Sequence, residues 1–216
     1  MTTPVEETLI AQSREGDLES FNALVEMYQN QVYGVALRMV RDAALAEDLA
    51  QEAFISAFRN LNQYRGGSFK SWLMRIVRNA TLDSLRRTQR RPTDSLDENV
   101  VAFESQLVSN EPSPDDVAEN AELGDHIKDV MAELHPDQKM ALVLIDVEGY
   151  SYEDAAQAMS VSIGTVKSRL SRARARMREA LMADPELLPA QFRQGNEGVR
   201  KGCTPLVRKF DDLRMA

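Results

Sequence analysis

The side chains best suited to bind a polyanion are concentrated near residues 163–178. Within 12 positions the chain carries six cations: Lys167, Arg169, Arg172, Arg174, Arg176 and Arg178. Small residues recur among them at helical spacing: Gly164, Ser168, Ser171 and Ala175. Short side chains let a helix approach base edges while longer cations reach phosphates. The pattern indicates DNA binding, although a solvated basic helix would carry the same charges.

The elements predicted to position these cations form a helix-turn-helix. A first helix is expected from Tyr152 to Met159, and its alanines would allow close packing of another helix. A break follows at residues 160–162, where Ser162 is suited to cap the second helix. The apolar side of that second helix recurs every three or four residues, at Ile163, Val166, Leu170, Ala173 and Met177. The motif predicts DNA binding without separating repressor from activator.

The net charge of the whole chain conceals a strong separation of basic and acidic residues along the sequence. Its 216 residues carry a net charge of −8, which is unusual for a protein that binds DNA. From Arg38 to Arg91, however, 11 Lys/Arg face five Asp/Glu, whereas from Asp94 to Asp137 13 Asp/Glu face only Lys128. A polyanion responds to the local sign of the charge. The chain therefore alternates a basic block, an acidic block and a basic helix.

The composition bounds the class of protein. A hydrophobic content of 43% with 28% charged residues is typical of a globular protein, and no segment reaches the length of a membrane span. We therefore expect a cytoplasmic protein without membrane insertion. The single Cys203 excludes an internal disulfide, and His126 and His135 lack zinc-ligand spacing. We expect no metal, no cofactor and no catalytic residue.

Helical periodicity dominates, and sustained two-residue alternation is missing from the sequence. We predict an all-α protein of two small helical domains joined by an acidic flexible linker. The first domain covers residues 1–92, the linker 93–120, the helix-turn-helix domain 121–183 and a flexible tail 184–216. Predicted helices span 5–15, 18–40, 43–60, 69–87, 122–134 and 136–148, ahead of the helix-turn-helix pair. Asp17, Asp42 and Ser68 are the predicted caps of the second, third and fourth helices.

A second cationic surface is predicted on the fourth helix. Phe69, Trp72, Leu73 and Ile76 suit a core, so Trp72 is expected inside. The opposite side carries Ser71, Arg75, Arg78, Leu82 and Arg86, with Asn79 at its border. The preceding loop, Asn62 to Ser68, is polar and includes Tyr64 and Arg65. Such a loop suits an unstacked base, although an ordinary loop beside a solvated helix would have the same composition.

The third helix presents acids instead of cations. Glu47, Asp48, Gln51 and Glu52 form a polar and acidic surface on an otherwise apolar helix. Acidic side chains would repel DNA, so a protein partner suits this surface better. An exposed helix face without a partner is the alternative.

The order of these two units resembles the extracytoplasmic-function (ECF) class of bacterial RNA polymerase sigma factors, of the sigma-70 family. The segment AEDLAQEAFISAFRNLNQYRGGSFKSWLMRIVRNATLDSLRR, residues 46–87, is similar to the part that docks on polymerase and opens the minus-ten element. Residues 134–178, which end in the helix-turn-helix, are similar to the minus-thirty-five module. The resemblance covers residues 5–182. It implies a sigma factor that directs promoter-specific initiation, with an expected role in a stress or envelope response.

The resemblance also implies roles for individual residues. Asp48, Gln51 and Glu52 would bind the polymerase. The minus-ten residues would be Asn62, Tyr64, Arg65, Ser68, Arg75, Arg78, Asn79 and Arg86. The minus-thirty-five residues would be Thr165, Lys167, Ser168, Arg169, Ser171, Arg172, Arg174 and Arg176. Ser171 stands where many relatives carry a larger residue, so their promoter preference cannot be transferred to this chain.

The implied partners are core RNA polymerase, promoter DNA and an anti-sigma factor. On polymerase, the contacts would be the clamp helices of the largest subunit and the flap of the second-largest subunit. The acidic linker, with Asp94, Asp97, Glu98 and Glu104, would follow the path that RNA later takes. The tail 184–216, basic near its end, has no counterpart in the minimal family pattern.

Two other functions fit parts of the sequence. A one-component regulator with a response-regulator-like helix-turn-helix would match the C-terminal module, but a phosphoreceiver would alternate strands with helices. A DNA-acting enzyme would require a nucleophile–base pair, paired carboxylates or a phosphate-binding glycine loop, and the sequence suggests none of them.

Overall fold

The computed structural model describes residues 3–90 and 114–183, and every regular element in these ranges is helical. This confirms the predicted all-α class. The linker residues Asp94, Asp97, Glu98 and Glu104, and the tail 184–216 with Cys203, lie outside the described residues. No helix in the described ranges is long and apolar enough to cross a membrane.

Four helices build the first part of the chain. They are α1 (Pro4–Arg14), α2 (Leu18–Val40), α3 (Ala43–Arg59) and α4 (Phe69–Arg90). A 3-10 turn, Leu61–Gln63, leads from α3 toward α4. The predicted caps are confirmed, because Asp17, Asp42 and Ser68 each accept a hydrogen bond from a backbone amide of the following helix. The first four predicted helices therefore begin within a residue of their observed starts.

The core between these helices contains aliphatic and aromatic layers. Its fully buried aliphatic members include Leu24, Val32, Val35, Leu73 and Val77. Tyr64 and Phe69 pack edge to face at 5.6 Å, and Trp72 lies 5.6 Å from each of these rings. The aromatic layer joins the loop after α3 to the start of α4, so it positions the polar loop from Asn62 to Ser68.

The remaining helices are α5 (Pro114–Glu133), α6 (Pro136–Leu142), α7 (Tyr152–Met159) and α8 (Ile163–Ala183). Helix α5 begins at Pro114, eight residues before the predicted start, and proline is well tolerated at the beginning of a helix. The helix predicted over 136–148 changes after Leu142 into a π-helical turn, Val143–Val147. The helix-turn-helix pair is confirmed, with Ser160 in the left-handed region and Ser162 capping α8.

Two compact units are present. Among the described residues, one unit contains α1–α4 together with residues 136–170, and the other contains α5 and α8 from Ser171 onward. We call residues 136–170 the helix-turn-helix segment. In this structure the segment groups with the first four helices, whereas the sequence suggested a separate domain at 121–183. The predicted domain boundaries themselves stay a prediction.

The grouping brings α7 against α4. Ser71, predicted on the open cationic side of α4, is fully buried and donates its hydroxyl to Asp154 Oδ1 at 2.9 Å. Leu82, predicted on the same side, is also buried. The face prediction for α4 was therefore partly wrong. Helical periodicity alone cannot show that a second element covers a polar face.

Candidate nucleic-acid and polymerase interfaces

The loop between α3 and α4 borders a cavity of about 310 Å³. It is lined by Gln63, Tyr64, Arg65, Gly66, Trp72, Arg75 and Gln157. A positive φ of 92° at both Gly66 and Gly67 turns the chain back toward α4. The cavity combines cations, amides and an aromatic edge, which is the chemistry that binds an unstacked base.

Tyr64 supports this loop from within. Its side chain is only 6% exposed, and its hydroxyl donates to the carbonyl oxygen of Gly67 at 2.7 Å. Arg14 of α1 donates to the carbonyl oxygens of Leu61 and Tyr64 and lies over the tyrosine ring at 5.7 Å. The ring is thus enclosed by protein, so its position favours shaping the loop over stacking on a base.

Sequence reasoning missed two contributors to the cavity. Trp72, expected in the core, is only partly buried and lines the cavity beside Gln63. The signal for Trp72 was its place one helical turn after the loop, where one edge of a large ring commonly stays open. Gln157 comes from α7, and nothing in its local sequence indicates this position.

The other predicted minus-ten residues have different surroundings. Asn62, Asn79 and Arg86 are exposed, and Arg86 pairs with Asp83 at 3.1 Å. Ser68 caps α4 by accepting from the amide of Ser71. Of the eight predicted residues, the structure brings Tyr64, Arg65 and Arg75 together at the cavity.

Arg78 is held by the helix-turn-helix segment. One of its terminal nitrogens donates to Asp137 Oδ1 at 2.7 Å. The second oxygen of this carboxylate accepts from Arg169 at 2.8 Å. Asp137 lies in the first turn of α6, and sequence reasoning assigned it no role. One carboxylate therefore joins a predicted minus-ten arginine to a predicted minus-thirty-five arginine.

The α8 helix keeps the predicted separation between an apolar and a small, polar side. Val166, Leu170 and Ala173 are buried, as predicted, whereas Ile163 is exposed. The small residues face solvent: Gly164, Ser168, Ser171 and Ala175. This arrangement matches a helix whose small face can approach base edges.

Individual side chains along α8 have distinct partners. Thr165 shares a hydrogen bond with the capping hydroxyl of Ser162, and Ser168 donates back to the Thr165 carbonyl. Lys167 lies 5.4 Å above the Tyr152 ring. Arg172 is exposed and Arg174 is partly buried. Arg176 pairs with Glu133 at 3.1 Å and Glu179 at 3.2 Å, so α5 restrains that cation.

The predicted polymerase surface is open. Asp48, Gln51 and Glu52 are exposed on α3, on the side away from its buried alanines. Ile55 lies one turn further and is 52% exposed. An exposed isoleucine beside acids suits a protein interface, in which an apolar contact is surrounded by charges. Sequence reasoning did not single out Ile55.

In the described ranges, no group of three or more His, Cys, Asp or Glu side chains is placed to hold a metal ion.

Burial raises the pKa of Tyr150, and the nearby Glu148 carboxylate adds to this effect. Tyr150 therefore stays a neutral hydroxyl and donates to Gln31 at 3.3 Å. Its contact is structural.

Two family matches cover the regions that carry these surfaces. Residues 24–91 match Sigma-70 region 2, and residues 125–177 match Sigma-70 region 4. The RNA polymerase sigma-H factor of Pseudomonas aeruginosa is 38% identical over 188 residues, which cover 84% of this chain and 96% of the relative. The ECF RNA polymerase sigma-E factor of Haemophilus influenzae is 36% identical, covering 78% of this chain and 91% of the relative.

This chain belongs to the extracytoplasmic-function class of the sigma-70 family. A solved structure agrees: the sigma factor RpoE of Bartonella quintana, in complex with the anti-sigma factor NepR, superposes with a TM-score of 0.60. It is 28% identical, and the match covers 77% of this chain and 99% of that one. The activity of this sigma factor is promoter-directed transcription initiation with RNA polymerase.

Proposed function

We propose that this sigma factor recognises promoters at two points, with the α3–α4 loop at the minus-ten element and α8 at the minus-thirty-five element. The cavity beside the loop is the observation that carries the first assignment. Arg65 and Arg75 supply cations, and Trp72 supplies part of an aromatic surface. Stacking on such a surface offsets the cost of unstacking a base, which is a few kcal/mol.

In this proposal, Arg65 and Arg75 hold the displaced strand while a base enters the cavity. Asn62, Ser68, Asn79 and Arg86 contact the adjoining strand outside it, and Arg78 joins them once its contact with Asp137 is broken. Tyr64 keeps the loop in shape. Because binding drives strand separation, no catalytic group is required.

At the other point, α8 would lie in the major groove. Ser168 and Ser171 would face base edges, and Lys167 and Arg172 would contact phosphates beside them. Thr165, Arg169, Arg174 and Arg176 would complete the contact with the backbone. Binding at two points fixes the register of the protein on DNA, so neither point needs high affinity by itself.

Polymerase would bind the acidic surface of α3. Asp48, Gln51 and Glu52 would meet cations of the clamp helices, with Ile55 as an apolar contact. The minus-thirty-five module would contact the flap of the second-largest subunit. We also propose an anti-sigma partner, supported by the likeness to the RpoE–NepR complex, and a role in a stress or envelope response.

Run-off transcription with core RNA polymerase and a library of promoter fragments tests this function. The wild-type chain should give specific transcripts, and permanganate footprinting should show strand opening. Arg75→Ala should reduce opening about tenfold, since each lost base or phosphate contact costs about 1–3 kcal/mol. Lys128→Ala, which removes a partly exposed cation of α5 that belongs to neither the cavity nor the acidic surface of α3, is the matched control. Equal opening by the two variants would refute the role of the cavity.

A further inference from the structure

Asp137 lies between two arginines that the proposed function needs on DNA. Its two carboxylate oxygens each accept one guanidinium, from Arg78 on α4 and Arg169 on α8. All three side chains are largely buried, at 15–21% exposure. A guanidinium that pairs with a carboxylate cannot offer the same N–H groups to a phosphate.

We propose that Asp137 is an intramolecular latch that masks Arg78 and Arg169 in the free sigma factor. The inference rests on the proposed DNA roles of these two arginines. In the latched state the carboxylate takes the place of DNA phosphates at both of them. Release of one carboxylate frees a cation at each promoter contact at the same time.

The hydrogen-bond donors of the latch are incompletely paired, which lowers the free energy needed to break its contacts. One carboxylate faces two guanidinium groups, so a positive charge remains in excess. Arg78 Nε and one terminal nitrogen of Arg169 are buried without a hydrogen-bond partner among the described residues. Buried, unpaired donors oppose the folded contact. DNA offers several phosphate oxygens to each arginine and can satisfy the donors that Asp137 leaves unpaired.

The contacts around the latch include further hydrogen bonds and ion pairs. Glu148 accepts from Arg38 at 3.0 Å and from Gln31 at 2.9 Å, and Lys70 lies 4.1 Å above the ring of Tyr150. Ser71 reaches Asp154 nearby. A contact built from hydrogen bonds and ion pairs loses less on exposure to water than an apolar one. The segment can therefore leave α2 and α4 when a stronger partner binds.

DNA binding by the free protein tests the latch without requiring a known promoter. Fluorescence anisotropy with a labelled duplex of arbitrary sequence would compare wild type, Asp137→Asn and Glu26→Gln. Glu26 is exposed on α2, so its variant makes the same change in net charge without touching the latch. Asp137→Asn should bind about three- to tenfold tighter. The slope of log affinity against log salt concentration should become steeper, by the amount expected for about one to two additional phosphate contacts. Equal affinity for the two variants overturns the proposal.

A double-mutant comparison separates masking from a general charge effect. In the Arg78→Gln/Arg169→Gln background, Asp137→Asn should change the affinity no more than Glu26→Gln does, because no arginine remains to be released. If Asp137→Asn strengthens binding by the same factor in both backgrounds, the latch is refuted.

A third measurement needs no substitution at Asp137. Spin labels at Glu47 and Glu153, both exposed, report the separation of α3 and α7 after Cys203 is replaced by serine. Saturating heparin, a polyanion that competes for the arginines, should lengthen the measured distance, and an unchanged distribution contradicts the latch. Run-off transcription separates the two proposals. No specific transcript from wild type with core polymerase would refute the function, whereas normal transcription with no effect of Asp137→Asn on binding would refute only the latch.

Discussion

Lys139 donates its ammonium group to the backbone carbonyl oxygen of Met39 at 3.1 Å, although its side chain is buried. Met39 lies in the last turn of α2, where carbonyl groups lack helical partners and favour a cation. Burial, assisted by the charge of Arg41, nevertheless lowers the pKa of Lys139 to about 8. The helix-turn-helix segment thus inserts a titratable cation against α2.

This contact predicts a pH dependence of stability. The pKa of Lys139 is lower in the folded protein than in the unfolded chain, so between pH 8 and 10.5 the unfolded chain binds the extra proton. The contribution of Lys139 to the free energy of unfolding should therefore rise by about 2–3 kcal/mol as the pH increases through this window. Tyr28 and Tyr150, whose pKa values are raised by burial, oppose this rise near pH 10, so the Lys139 contribution is read as the difference from a variant without the lysine. Urea denaturation at pH 7.5 and pH 10, followed by circular dichroism, measures it.

Lys139→Met should remove this part of the pH dependence, because methionine keeps the aliphatic volume without the charge. Lys128→Met is the matched control, since the Lys128 side chain is 39% exposed and pairs with Asp125, three residues away on the same helix. If the rise of the unfolding free energy with pH persisted in Lys139→Met and disappeared in Lys128→Met, Lys128 and not Lys139 would be the titrating residue.

A second titration is predicted at the start of α1. Burial acts to raise the pKa of Glu6, but hydrogen bonds from the Thr3 amide and the Tyr28 hydroxyl outweigh it and lower the pKa below 4.5. The carboxylate therefore stabilises the fold above this pH and loses its contribution as the pH falls through the folded pKa.

Glu6→Gln should lower the unfolding free energy at pH 7 by about 1–2 kcal/mol, since it removes a capping contact and a buried charged acceptor. The difference from wild type should shrink below pH 4. Glu7→Gln, at the exposed neighbouring position, controls for the loss of negative charge in the first turn. Denaturation curves at pH 7 and pH 3.5 give these unfolding free energies. An equal loss of unfolding free energy in Glu6→Gln and Glu7→Gln would show that the buried contacts of Glu6 do not stabilise the fold.

The sequence predicted those parts of the structure that depend on local chemistry. Asp17, Asp42, Ser68 and Ser162 were recognisable as caps because their short oxygen side chains bond to amides of the next turn. The exposed small face of α8 followed from spacing alone. These features need no knowledge of distant residues.

The features that sequence reasoning missed depend on distant partners. Arg78 belongs to a cationic pattern, but its pairing with Asp137 joins positions 59 residues apart. Gln157 at the cavity and the burial of Ser71 arise in the same way, from the packing of α7 on α4. Periodicity identifies a polar face without showing whether water or another helix covers it.

The polymerase surface on α3 predicts a loss of binding upon charge reversal. Glu52→Lys should weaken the affinity for core polymerase about tenfold, because it places like charges together at the interface. The full cost of such a pair is several kcal/mol, and a long lysine side chain that turns away from its partner reduces it. Ile55→Ser should weaken it by a smaller factor. Fluorescence titration with labelled sigma measures both, and Glu26→Lys, exposed on α2, is the control. Equal affinity of Glu52→Lys and Glu26→Lys would exclude α3 from the interface.

Two neighbouring residues of α8 should affect promoters differently. Arg172→Ala removes a predicted phosphate contact and should weaken holoenzyme binding to all promoters by a similar factor, about five- to tenfold, with a lower salt dependence. Ser171→Ala changes a small residue that faces the bases and should alter the order of preference among minus-thirty-five sequences. Selection from a randomised promoter library distinguishes these effects, and Lys128→Ala controls for the lost charge. If Arg172→Ala changed the preferred sequence while Ser171→Ala left it intact, the assignment of phosphate and base contacts on α8 would have to be reversed.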